Sequence, residues 1–382
     1  MRRVGLLRAI TRRNAVGLAG LSIALHILGF EFALRAQQAP PPMPKDVRPS
    51  PVIKSISLAT RALMPFASSG DLWFTTWADD DNLYGTWGDG MGPTAERSWS
   101  LVTDCGVVKF SGDPPNVTPT IQRRDAPTQF MPRIDDKPSS ILFLDGRLYG
   151  QFHSPLGDAR IGYLAYSDDY GKNWTRVGFF MPGSEKPPDG SPWTKDVKVG
   201  EFPDSPFRCL LFLNMGKNYE LNIDGYVYGY GIGKEWDWSG EVFLARVDQK
   251  RILRYQDWEY YAGSAADGKP AWSKSQSDAK RLPGLFSVDQ ASAIYHPGVK
   301  RYLFFSSRHL FDAPEPWGPW TLAGEFPTEP PEWQKGYQPG IMPKGLGPDS
   351  FWFTMTGINP KPNITYSFHI GQIVMHLASP RP

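Results

Sequence analysis

The chain has 382 residues, and its 38 Gly and 37 Pro make up about a fifth of them, against roughly an eighth in an average protein. Aromatic residues reach 14%, with 14 Trp and 16 Tyr, which excludes a disordered chain, and the density of turn formers excludes a helical bundle. A formal charge of +2 leaves no overall footprint for a polyanion partner.

The N-terminus departs from that neutral average. Arg2, Arg3, Arg8, Arg12 and Arg13 precede an apolar run from Ala15 to Phe30 and an Ala-rich end around Ala33, Ala36 and Ala39. Basic, apolar and small-residue regions in that order predict a signal peptide over 1–36. Thr11-Arg12-Arg13-Asn14-Ala15-Val16 resembles the twin-arginine export motif without its usual Phe-Leu pair. The alternative is an uncleaved membrane anchor, although His26 and Glu31 fit poorly in a ~20-residue span. Cleavage after Ala36 removes six arginines and one glutamate and leaves the mature chain near −3. The expectation is a periplasmic or secreted protein with no nucleic-acid partner and no membrane contact after cleavage. Residues 37–60 read as a Pro-rich linker and 61–382 as one domain. Cys105 and Cys209 are too few for a disulfide scaffold, and spacing alone does not say whether they meet.

Beyond residue 60 one unit recurs: an apolar or aromatic strand, a tight turn, and a second aromatic strand. The copies are LWFTTWADDDNLYGTWGDG from Leu72, ILFLDGRLYGQFH from Ile141, LNIDGYVYGYGIG from Leu221, AIYHPGVKRYLFFSS from Ala293 and GLGPDSFWFTMTG from Gly345. Period-2 alternation predicts half-buried strands, and Asp145-Gly146, Asp224-Gly225 and Pro297-Gly298 supply the turns. Five units at blade-sized intervals predict an all-β fold, a five-bladed β-propeller. A β-sandwich with long loops is the alternative, but it gives no reason for the repeat. Ser167 to Trp174 matches the S-x-D-x-G-x-x-W Asp box, and Ala266 to Trp272 is a degenerate copy. Such turns inform on fold and not on catalysis.

The segment from Gly70 to Gly90 carries the chemistry. With the turn centred on Asp80, Asp71 faces Asp89 and Trp73 faces Trp87. Side chains directly opposite have Cβ atoms ~4.5–5.5 Å apart, so one of two carboxyl groups there should have a raised pKa. That arrangement places an acid beside a base, with Trp73 and Trp87 expected as a stacking surface for a sugar. A one-residue slip would put the two Asp on different faces, and Gly70 and Gly90 leave room for the blander role of turn caps. Asp79 to Asp81 occupy the turn itself and lack the spacing of a calcium loop.

The same segment resembles the opening motif of the bacterial family known as domain of unknown function 4185. SGDPPN from Ser111, FLNMGKN from Phe212, EVFLARV from Glu241, WEYYAGSAADGKPAWS from Trp258, RYLFFSS from Arg301 and APEPWGPW from Ala313 are similar in order. The resemblance implies a five-bladed propeller glycoside hydrolase, some members being endo-acting D-arabinanases that cut furanoside polymers of the mycobacterial cell wall. It places Asp71 and Asp89 at the positions of the catalytic carboxylates.

Further candidates for substrate binding are Lys217 and Asn218, which follow a strand, and His153, which ends one. Trp236 and Trp317 lie in Gly/Pro-flanked loops, where aromatics suit sugar stacking. The expected partner is a poly- or oligosaccharide, and no cofactor is required; no loop demands the structural Ca²⁺ that a propeller channel can hold. The rival reading is a non-catalytic propeller that binds carbohydrate or protein and needs no carboxylate pair. No G-x-S-x-G elbow, P-loop or dinucleotide fingerprint occurs.

Overall fold

A computed structural model describes residues 42–379 apart from 60, 125–136, 154–161, 178–205, 233–239, 288, 307, 328, 330–332, 334–335 and 358–365. The predicted signal peptide and most of the expected linker's first part lie outside the described residues. The linker reading fails at its far end: β1 (Ile53–Leu58) pairs with the last strand of the chain. Ile53 is buried there, so this segment is part of the folded domain.

The remaining strands fall into five sheets, each an antiparallel meander. The first holds β2 (Ser69–Asp71), β3 (Thr75–Trp77), β4 (Leu83–Gly92), β5 (Gly106–Asp113) and β6 (Asn116–Arg124). The second holds β7 (Lys137–Leu144), β8 (Arg147–His153), β9 (Gly162–Ser167) and β10 (Thr175–Val177). The third runs through β11 (Leu210–Asn214), β12 (Tyr226–Gly231), β13 (Phe243–Asp248), β14 (Glu259–Ser264) and β15 (Pro270–Ser273). The fourth comprises β16 (Ser292–His296), β17 (Arg301–Phe305), β18 (His309–Ala313) and β19 (Thr321–Glu325). The fifth orders β20 (Tyr337–Ile341), β21 (Ser350–Thr356) and β22 (His369–Leu377) before β1, so the start of the domain closes the blade that its end builds.

The predicted propeller is the observed one: the units from Leu72, Ile141 and Ala293 are inner hairpins of their blades, whereas those from Leu221 and Gly345 supply only the second strand, β12 or β21, because their first residues form the turn that leads into it. The innermost strands crowd round a common axis, where short hydroxyl side chains bind the neighbouring backbone. Thr76 Oγ1 accepts from Phe143 N at 2.9 Å, and Ser140 Oγ donates to Leu210 O at 2.8 Å. Ser292 Oγ accepts from Ile341 N at 2.8 Å, and Thr354 Oγ1 donates to Trp73 O at 2.6 Å. Between the third and fourth blades β11 and β16 pair directly and in parallel. Bulkier polar groups would not fit this spacing, and unsatisfied ones would cost about 1–3 kcal/mol each.

Apolar side chains fill the seams between blades. In the turn from Ser167 to Trp174, Asp169 accepts from Asn173 N, Gly171 has φ 88°, and buried Trp174 donates Nε1–H to Gly171 O. Cys105 and Cys209 are both buried and sit in different core clusters.

The axis has two chemically distinct ends. The inner strands begin at the upper end, with Asp71, Lys137 and Tyr337. They finish at the lower end, in the turns at Asp79–Asp81, Asp145-Gly146 and Pro297-Gly298. A strand the length of β7 separates the two ends by about 20 Å.

Candidate active site

The expected register holds for half of the first hairpin. Thr75, Thr76 and Trp77 face Gly85, Tyr84 and Leu83. It then breaks, because Leu72 turns left-handed at φ 57° and Asp71 faces Gly88, one residue short of Asp89. In a regular ladder that slip would send Asp89 to the opposite face. Asp89 is itself left-handed, at φ 51°, and this second irregularity brings its side chain back towards Asp71. The flanking glycines make the approach sterically feasible: a Cβ on Gly70 would meet Gly88 O at 2.7 Å, and one on Gly90 would meet Ser69 O at 2.3 Å.

The two carboxylates converge on one phenol from the fifth blade. Tyr366 Oη lies 2.7 Å from Asp71 Oδ2 and 3.4 Å from Asp89 Oδ2. Tyr337 Oη donates to the same Asp71 oxygen at 3.4 Å. One hydroxyl proton cannot serve both carboxylates. Tyr366 Oη donates to Asp71 Oδ2 on the shorter leg, and Asp89 Oδ2 competes for the same proton on the longer one.

Environment separates the pair. Asp71 is 1% exposed and its Oδ1 has no hydrogen-bond partner. Burial first, and then the charge of Asp89, push its carboxyl well above the usual range, against the pull of Tyr366 and Lys137. The Asp89 side chain is 34% exposed and its Oδ1 is ion-paired with Lys137 Nζ. Lys137 opens β7, is almost fully buried, and also reaches Asp104 Oδ1 at 3.1 Å. Burial and the same acidic groups raise the Tyr337 and Tyr366 phenols well above 10. A buried carboxyl with a raised pKa therefore sits beside a lysine-paired carboxylate, the division of roles that acid–base chemistry uses.

The other expected residues are distributed otherwise. Trp73 and Trp87 do face each other, with ring centroids 6.0 Å apart. Both are buried in the core, packed with Phe368 and neighbours, and donate to Gly70 O and Gly90 O. They brace the strands that carry the carboxylates and present no face to a ligand. Lys217 and Asn218 stand at the lower end: Lys217 pairs with Asp81 at 3.2 Å, and Asn218 accepts from Asp145 N at 2.9 Å. Strand polarity makes this correction, because a residue that follows an inner strand lies at the end where the strand finishes. Trp317, half-buried, packs at that lower end against Tyr228 and Trp272, both at 6.4 Å. His153 faces Lys137 across β7 and β8 and is at the upper end. It is buried, bonds Ser139 Oγ through Nδ1 at 2.7 Å, and is held neutral by burial and by the nearby Arg208 and Lys137. Trp236 lies outside the described residues.

Sequence reading missed Lys137, Tyr337, Tyr366 and Asp104. Lys137 and Tyr337 had a usable signal, since each opens the inner strand of its blade as Asp71 does. Tyr366 follows the last repeat, and nothing local marks it. Among the described residues no group of three or more His, Cys, Asp and Glu could hold a metal ion. Between Asp89 and Asp104 the cation is Lys137.

The model of the family described as domain of unknown function (DUF4185) matches residues 122–367. The chain belongs to this family. The matched span includes Lys137, Tyr337 and Tyr366, while Asp71, Asp89 and Asp104 precede it. No curated protein matches the chain. Among solved structures it is similar to the GH43_1 enzyme from Xanthomonas citri complexed with xylotriose, at 13% identity over 84% of this chain and 93% of that one, TM-score 0.47. It is similar also to native arabinanase Arb43A from Bacillus subtilis, at 14% identity over 80% and 95%, TM-score 0.41. A third is the alpha-L-arabinofuranosidase Arb93A from Fusarium graminearum, at 13% identity over 86% and 98%, TM-score 0.40. The propeller assignment stands on the strand order without them.

Proposed function

We propose that this DUF4185 protein is an exported glycoside hydrolase that cleaves a furanosidic, arabinan-like polysaccharide with Asp71 and Asp89. The observation that carries the reading is the Tyr366 bridge between one buried carboxyl with an unpartnered oxygen and one lysine-paired carboxylate. Structural carboxylates are seldom left in such a contest, because like charges at this range destabilise the fold.

In this mechanism the proton held between Asp71 and Tyr366 goes to the leaving glycosidic oxygen as the bond to the anomeric carbon breaks. The two legs of the Tyr366 bridge, 2.7 and 3.4 Å, hold the facing carboxylate oxygens within about 6 Å of each other, closer than the ~6.5–9.5 Å that leaves room for an inverting water. Asp89 therefore attacks the anomeric carbon. Water then displaces Asp89 from the glycosyl intermediate and returns a proton to Asp71, with net retention.

The test is product release from a panel of furanose and pyranose polysaccharides, comparing wild type with Asp71→Asn and Asp89→Asn. Loss of activity in both variants, with circular dichroism unchanged, supports the reading. Wild-type activity in either variant overturns it. Binding without cleavage in all three proteins would make the molecule a carbohydrate-binding propeller. Proton NMR of the first-formed anomer checks retention, and fractionation of cells expressing the full chain checks export.

A further inference from the structure

Of the tryptophans among the described residues, one is left in water. Trp99 is 86% exposed, while Trp73 and Trp87, which were expected to stack on sugar, are buried. Its loop joins β4 to β5 at the upper end and is not loose. Gly90 and Thr103 exchange backbone hydrogen bonds at 3.1 and 2.9 Å, which ties the loop's far side to the residue after Asp89. Arg97 Nη1 donates to Ser68 O at 3.4 Å, which ties its near side to the strand entering Asp71. Leu101 N bonds Ser98 O, and Val102 N bonds Trp99 O, so the indole stands on a closed 3₁₀ turn. Arg124 Nη1 holds Leu101 O at 3.1 Å from below.

Trp99 is four residues from Thr103, so its Cα lies within about 14 Å of an anchor that is bonded beside Asp89. That reach spans a few sugar rings of a bound chain. Val102, 40% exposed, extends the apolar surface. The side chains of Glu96, Arg97 and Ser100 are exposed around it. An aromatic face rimmed by hydroxyl and charged groups suits the alternating C–H face and hydroxyl edge of a saccharide better than a purely apolar partner.

We infer that Trp99 is the stacking platform of a distal subsite, holding a ring of the same polysaccharide a few residues from the bond that Asp71 and Asp89 cleave. The inference rests on the glycosidase reading above. It makes the protein's preference one for long chains, with Trp99 contributing nothing to substrates too short to reach it.

The experiment is steady-state kinetics on arabinan oligosaccharides of increasing length and on polymeric arabinan, with wild type, Trp99→Ala and Trp99→Phe. Trp99→Ala should lower kcat/KM about tenfold on the polymer and the longest oligosaccharides, and leave the shortest cleaved substrate unaffected. Trp99→Phe should retain most of the activity, and the thermal midpoint should not move because the side chain is exposed. Equal kinetics for wild type and Trp99→Ala at every length would overturn the platform while leaving the glycosidase standing. Should wild type cleave no glycan, the glycosidase reading falls, and electrophoresis through gels containing arabinan decides the platform. Retardation of wild type that Trp99→Ala abolishes supports it; no retardation of wild type overturns it.

Discussion

The hairpin of the first blade carries acidic residues at both ends, and the molecule treats them in opposite ways. At the lower end Asp81 meets two lysines: Lys217 Nζ at 3.2 Å, and Lys344 Nζ, which also reaches Asp113 and the carbonyl of Gly112. Hydrogen bonds from Lys344 and then Lys217 hold the Asp81 carboxyl below its usual range. Burial alone would lower Lys344, but its bonds to Asp113 and Asp81 carry it above the ordinary value. At the upper end Lys137 is shared between Asp89 and Asp104, and Asp71 keeps an oxygen with no partner. At the lower end Asp81 and Asp113 are matched by two lysines. At the upper end Asp71, Asp89 and Asp104 converge on one lysine, Asp71 without a bond to it, and that imbalance marks the place for chemistry.

The sharpest way to break the comparison is to neutralise each carboxyl. Asp71→Asn and Asp89→Asn should each lower kcat by about 10²–10⁴-fold, the span attributed to acid–base groups. The sign of the stability change also follows. A carboxyl whose folded pKa is raised binds its proton more tightly folded than unfolded, so stability declines as pH rises from the unfolded pKa through the folded one. Asp71→Asn removes that loss, and at neutral pH its thermal midpoint should rise while activity disappears. A drop in midpoint would mean that Asp71 is a structural group.

Lys137→Met comes next. Activity should fall by about 10²-fold, because Asp89 loses the ammonium that fixes it and Asp104 is left beside it. The remaining activity should show its alkaline limb at higher pH than wild type, since Lys137 lowers the carboxyl of Asp71. Wild type itself should lose activity as pH rises through the raised range of Asp71. An unshifted alkaline limb in Lys137→Met would detach that limb from Asp71.

The architecture was readable because it is periodic. Five units recur along the chain; three of them are the inner strand pairs of their blades and two give only the second strand, β12 or β21, and the pairing of Trp77 with Leu83 follows from one turn residue. The site was readable only where it is local. Asp71 and Asp89 belong to one hairpin, but their approach depends on two left-handed residues, Leu72 and Asp89, that no alternation rule signals. Tyr366 and Lys137 come from other blades, and only ring closure brings them in. Trp73 and Trp87 were misjudged for a related reason: facing each other on a strand pair says nothing about which side the next blade covers.

At the lower end Lys344→Met should cost about 1–2 kcal/mol, since it unties Asp81, Asp113 and Gly112 at once. Thermal unfolding should register a lower midpoint with kcat unchanged.

The smallest effect expected is also the one that separates the two ends most cleanly. Lys217 is one partner of an exposed carboxylate that keeps Lys344 as its other, and exposed ion pairs contribute ~0–1 kcal/mol. Lys217→Ala should therefore move the midpoint little. It should leave KM alone on every substrate, because about 20 Å of strand separates it from the carboxylate pair. A raised KM in Lys217→Ala would show that glycan contacts the lower end as well, and the division between a lysine-matched carboxylate and a reactive pair would fail.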